Sequence, residues 1–170
     1  MSDVATNTPK ASPETQALAK LFARGGTWKG RAMPGALRPD SPEMPTVGRS
    51  TGKPVADGFW YDLDMEITIG SGESAITWKG HMIVGWNPNA SSYQALLVDN
   101  LGIMVPLNCE LTDTQFIATS ERPLPLMGKL TSARFTWDFS DINQIKVTNE
   151  HQVDDGPWQL WEEEVITPSS

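Results

Sequence analysis

From Trp28 onward, apolar and polar residues alternate in short runs, the period-two pattern of half-buried β-strands. The pattern is clearest over residues 59–86, where FWYDLDMEIT (59–68) and ITWKGHMIVGW (76–86) flank the turn GSGES. Asp62, Asp64 and Glu66 share one face of the first arm, and Lys79, His81 and Ile83 share one face of the second. The two arms predict a hairpin in which Glu66 faces Lys79 and Asp64 faces His81. Its other face then sets Leu63 against Met82, Ile67 against Trp78 and Tyr61 against Val84. A slip of one residue would bring charges against apolar groups, so the pattern itself selects this register.

Strands are predicted over 27–32, 48–53, 58–68, 76–86, 92–99, 102–109, 115–120, 130–138, 142–153 and 158–166. The segments GSGES, NPNASS, DNLG, TDTQ, DFSD and DDGP supply the turns between them. Ahead of the strands, Ser12-Pro13-Glu14 reads as an N-cap, a proline at the first helical position and an early acid. Leu18, Leu21 and Phe22 follow at helical spacing until Gly25-Gly26 stops the helix. About ten short sequential strands after one short helix predict an all-β antiparallel meander that closes on itself or packs as a sandwich. Residues 31–57 stand apart, with Pro34, Pro39, Pro42, Pro45 and Pro54 around Met33, Leu37 and Met44. They are expected to form a long loop over a barrel mouth, with ERPLPLMGK (121–129) on the same rim.

A chain of 170 residues with 39% hydrophobic content and seven Trp suits one domain over 12–170, behind a disordered polar tail at 1–11. The net charge of −8 and a pI near 4.7 argue against nucleic acid or an anionic membrane as partner. Charge is uneven: residues 20–53 carry seven Lys or Arg, whereas 138–164 carry eight acids. The two stretches are expected to meet within one fold. Cys109 is the only cysteine, so no intrachain disulfide forms. The N-terminus has no apolar leader core, and no run reaches membrane-spanning length, so a cytoplasmic location is expected. An exposed hairpin edge and the many aromatics suggest a homodimer.

Candidate chemistry depends on which face of the 58–86 hairpin turns inward. Binary patterning puts Tyr61, Leu63, Met65, Ile67, Trp78, Met82 and Val84 inside, leaving the charged residues as a solvated wall. In the opposite orientation Asp64 would hold and polarise His81 as a general base, with Lys79 stabilising a developing oxyanion. Asp62, Asp64, Glu66 and His81 have the atoms for a divalent ion, but same-face strand neighbours diverge, so no metal site is expected. In INQIKVTNEHQV, the apolar set Ile145, Val147 and Val153 carries Asn149 and His151 with it, turning both inward as polar handles or satisfied core groups. In WQLWEEEVI, Glu162 and Glu164 share a face with Trp158, Leu160 and Ile166. At least one of these acids is expected to be buried, with a raised pKa or a cation such as Arg134 beside it. No phosphate-binding glycine loop, G-x-S-x-G or H-E-x-x-H occurs.

Gly26-Thr27-Trp28, after a short helix and opening the first strand, resembles the G-x-W signature of lipocalins and related calycin barrels. The succession LFARGGTWKGRA, VADGFWYDLDME, WKGHMIVGWNPNASSYQALLVDN and DDGPWQLWEEEVI is similar to a bacterial lipocalin-like family of unknown function, distantly similar to the nitrobindins. The resemblance runs over about residues 18–166 and implies a closed barrel around a pocket, without implying a reaction. Nitrobindins raise the question of haem, held there by a late histidine. His151 lies in a late strand, but no motif around it matches, and no cofactor is expected. The fold expected is thus a lipocalin-like barrel binding a small hydrophobic or aromatic molecule through Tyr61, Trp78, Trp137, Asn149 and His151. The alternative is a cofactor-free isomerase, cyclase or lyase using Asp64, His81 and Lys79, should these face the cavity.

Overall fold

A computed structural model describes residues 11–126 and 128–169. The tail expected at 1–11 therefore lies outside the described residues except for Ala11, as does Met127 of the second proline-rich loop. Two short helices, α1 (Pro13–Ala17) and α2 (Ala19–Phe22), take the place of the single helix expected. Ser12 caps α1 as its sequence predicts, its Oγ accepting from the Thr15 N–H at 3.2 Å.

Eleven strands follow: β1 (Gly26–Ala32), β2 (Met44–Val55), β3 (Trp60–Ile69), β4 (Ile76–Asn87), β5 (Ser92–Asp99), β6 (Met104–Leu111), β7 (Gln115–Ser120), β8 (Leu124–Leu126), β9 (Lys129–Asp138), β10 (Ile145–Val153) and β11 (Trp158–Pro168). Each of β1 to β6 pairs antiparallel with the next, β6 pairs β7, and β7 pairs β9 directly. The ladder then runs through β10 and β11 back to β1, closing a barrel of ten strands, while β8 adds only to β9. Closure leaves the ring without a free edge. The hairpin edge expected to promote dimerisation is absent, because β3 is flanked by β2 and β4, and β4 by β3 and β5.

The β3–β4 register is the one selected by the residue pattern: Glu66 faces Lys79, Asp64 faces His81, and Ile67 faces Trp78. The basic and acidic stretches also meet, as β1 lies against β11 and Arg31 Nη2 sits 2.6 Å from Glu163 Oε1. The strand expected at 48–53 is longer, and the long loop expected at 31–57 correspondingly shorter. Residues 44–55 of the predicted long loop form a twelve-residue strand, leaving only residues 33–43 between β1 and β2. The prolines are accommodated by position: Pro45, second in the strand, precedes Thr46, where pairing with β3 begins, and Pro54 lies beyond Ser50, the last residue of β2 paired with β1.

The helices plug one end. Phe22 of α2 packs edge-on against Phe116 (5.1 Å between centroids) and Trp137 (5.7 Å) inside the barrel. Gly52 permits this approach, since a Cβ there would lie 2.0 Å from the Phe22 carbonyl oxygen. At the same end Trp28 is buried, its Nε1–H donating to Ser50 Oγ at 2.9 Å. The connections 33–43, 70–75 and 100–103 gather at the opposite end, where Ala36 is buried.

Candidate functional site

The alternating burial of β3 settles which face of the hairpin turns inward. Tyr61, Leu63, Met65, Ile67 and Ile69 are buried, so Asp64, Glu66, Lys79 and His81 project from the outer wall. His81 lies between two carboxylates, with Nδ1 2.8 Å from Asp64 Oδ1 and Nε2 3.1 Å from Asp62 Oδ1. The first contact is an aligned hydrogen bond, whereas Asp62 Oδ1 has no well-formed hydrogen bond. Lys79 Nζ approaches Glu66 at 3.2 Å, and Lys53 Nζ approaches Asp62 at 3.4 Å. Donor atoms of Asp62, Asp64 and His81 lie within 4.8 Å of one another, so the divergence expected of them does not hold. Asp64, Glu66, Lys79 and His81 border an open groove of about 490 Å³ on the outer face of β2–β5. With side-chain exposures of 41% for His81 and 61% for Asp64, the cavity orientation required of a His81 base is not met.

Polar chemistry inside the barrel sits on a different wall. Across four adjacent strands, Thr46 lies opposite Gly30, Gly30 opposite Glu164, and Glu164 opposite Val147. Glu162 is two residues before Glu164 on β11 and faces Asn149 of β10, whose Nδ2 donates to Glu162 Oε2 at 3.0 Å. His151 is two residues further along β10, its ring stacked on Trp161 at 3.6 Å and 14°. Gly30 makes room for this arrangement, since a Cβ there would meet the Glu164 side chain at 2.8 Å and backbone closer still. Thr46, Glu164 and His151 are 1%, 6% and 7% exposed. Asn149 Oδ1 and His151 Nδ1 nevertheless have no hydrogen-bond partner, and Thr46 Oγ1 and Glu164 Oε1 have none beyond a loose contact between their own side chains.

Burial governs the protonation of these groups. It raises the Glu164 pKa to about 7, assisted by the charge of Glu162 and opposed by a loose hydrogen bond from the Thr46 hydroxyl. Glu162 is also raised by burial, against the lowering effect of its Asn149 hydrogen bond. Burial lowers His151 to about 4, so its imidazole is neutral at neutral pH. No Lys or Arg among the described residues is buried, and the ion pairs found there involve neither Glu162 nor Glu164. Arg134, the cation expected beside these acids, instead pairs on the outer face with Glu150 at 2.9 Å.

The structure thus brings together only part of the predicted ligand set. Asn149 and His151 share the inner wall of β10. Trp78, at the end away from the helices, donates Nε1–H to Asp99 Oδ2 at 3.0 Å. Tyr61 is buried on β3, and Trp137 belongs to the aromatic group around Phe22. Thr46 escaped the sequence reading because Pro45 concealed the start of β2. A β-bulge between Asn149 and Glu150 makes Trp161 an extra residue on β11, opposing no residue of β10. It places Leu160 opposite the outward Glu150, off the face of Glu162 on which strict alternation had put it.

The model of the family described as "Protein of unknown function (DUF1579)" matches residues 10–166. The chain belongs to this family. Among solved structures it is similar to the crystal structure of Rv2717c from M. tuberculosis, at 11% identity and a TM-score of 0.58, covering 95% of this chain and all of that one. At that identity the likeness concerns the fold alone. No curated protein matches the chain. Neither comparison carries the likeness to nitrobindins. No described helix is long and apolar enough to cross a membrane.

Proposed function

We infer that this family member is a small-molecule binding barrel, with its ligand held at the inner wall of β10, β11, β1 and β2. The observation that carries the reading is a group of under-satisfied buried polar atoms, with Asn149 Oδ1 and His151 Nδ1 unpartnered and Thr46 Oγ1 and Glu164 Oε1 meeting at most each other. Leaving a buried polar atom unpaired costs about 1–3 kcal/mol, so native structures seldom keep several together unless water or a ligand satisfies them. The surrounding packing favours a ligand. Phe22, Phe116, Met82 and Val84, towards the helices and across the barrel, are sealed from solvent. Asn149, Glu162, Phe135 and Trp161 retain accessible surface, although the barrel wall points them inward or stacks them on an inward residue. An apolar interior with a few convergent polar groups is the usual form of a small-molecule site.

An acid–base enzyme built on His81 and Asp64 is less well supported, because that pair lies in an open groove on the outer wall. Titration of tryptophan fluorescence with small aromatic compounds tests the binding reading. Trp161 stacks on His151, so occupancy should change the emission, and His151→Ala should weaken binding by about 1–3 kcal/mol. Unchanged emission across the panel, with wild type and variant alike, would contradict it.

A further inference from the structure

We propose that the inner polar wall receives the protonated amine of a small molecule whose apolar body lies against the aromatic interior. This names a ligand class for the site proposed above and rests on that reading. Three observations lead to it. The first is charge: Glu162 and Glu164 both turn inward, two residues apart on one strand, and no described Lys or Arg is buried with them. The second is the sense of the unused hydrogen-bonding capacity. Asn149 commits one Nδ2–H to Glu162 and leaves Oδ1 free, Glu164 offers Oε1, and the Thr46 hydroxyl and His151 Nδ1 can each accept or donate. The wall is therefore rich in acceptors, and an ammonium group brings up to three donors and the missing positive charge.

The third observation separates an organic cation from a bare metal ion. Among the described residues, the group of three Asp, Glu, His or Cys donors within 4.8 Å of one another is on the outer wall, not here. Acceptors spread over β2, β10 and β11 suit a group that donates in several directions better than a compact coordination sphere. The charged or titratable groups facing the site are Glu162 and Glu164 from β11 and His151 from β10, while β1 and β2 contribute Gly30, Ala32 and Thr46. Since His151 is neutral at neutral pH, it adds no opposing charge.

Calorimetric titration of the full chain with phenethylamine, 2-phenylethanol and 3-phenylpropionate tests this, because the three share an apolar body and differ in the head group. The amine should bind at least about tenfold more tightly than the alcohol, and the acid more weakly than either. Amine affinity should rise by up to about tenfold per pH unit as Glu164 ionises, levelling off above about 7. Glu164→Gln should remove both the pH dependence and most of the preference for the amine. Thr46→Val should weaken the amine while leaving the pH dependence in place, which guards against a Glu164 variant that fails to fold. Alcohol or acid binding as tightly as the amine would overturn the amine assignment and leave the binding barrel standing. Binding of none of the three, or tighter binding of calcium or zinc than of the amine at this wall, would overturn the proposal.

Discussion

Cys109 and His151 both turn inward, and burial moves their titrations in opposite directions. The Cys109 thiol is pushed up to about 12, so almost no thiolate exists at neutral pH. Alkylation by iodoacetamide should therefore be negligible in the native protein and complete in denaturant, as read by mass spectrometry. His151 and Glu164 link folding to pH with opposite signs. The folded-state pKa of His151 is depressed from 6.5 to about 4, so the stability gained by keeping it neutral is present above 6.5 and lost as pH falls through about 4. That of Glu164 is raised from 4.5 to about 7, so its contribution is full below 4.5 and lost as pH rises through about 7. Each shift corresponds to roughly 3 kcal/mol at most. Calorimetric Tm measured across this range should fall less towards neutral pH in Glu164→Gln than in wild type, and less towards acid in His151→Gln. A Glu164→Gln profile identical to that of wild type would remove the titrating carboxyl from the account.

Among the elements, the helical plug and β2 depend on each other at Gly52. An added methyl would collide with the Phe22 carbonyl, and overpacking of this kind costs about 1–3 kcal/mol. Gly52→Ala should therefore lower the urea midpoint and reduce the near-ultraviolet dichroism of Trp137 and Phe22, whereas Phe22→Ala should cost about 3–5 kcal/mol. An unchanged midpoint for Gly52→Ala would show that the helix does not seat against β2. This dependence also marks where sequence reading reaches its limit. The β3–β4 register was legible because charge and apolarity alternate without a break over both arms. The start of β2 was not, since Pro45 signals a break unless its place at the strand opening is known. The inward turn of Asn149 and His151 could be read from Ile145 and Val147, but the bulge opposite Glu150 leaves no local residue signal. Strict alternation therefore misplaced Trp158 and Leu160 relative to Glu162. The outward orientation of Asp64 and His81 followed from the apolar face of their own hairpin. That Thr46 adjoins Glu164 depends on closure of the ring through β1, a long-range pairing that no local pattern encodes.

For the whole molecule, closure brings the first strand beside the last and joins the inward polar residues of β2, β10 and β11 into one wall. An isolated inward Glu, Asn, His or Thr could be a satisfied core residue, but several under-satisfied polar atoms gathered on adjoining strands point to an occupant. The open outer groove beside His81 offers a competing place for a ligand. A crystal structure of the protein soaked with phenethylamine, refined to a resolution that shows ordered water, discriminates between them most directly. Ligand density is expected inside the barrel, within hydrogen-bond distance of at least two of Thr46 Oγ1, Asn149 Oδ1 and Glu164 Oε1. An interior closed by side chains, with density confined to the outer groove or absent, would contradict it.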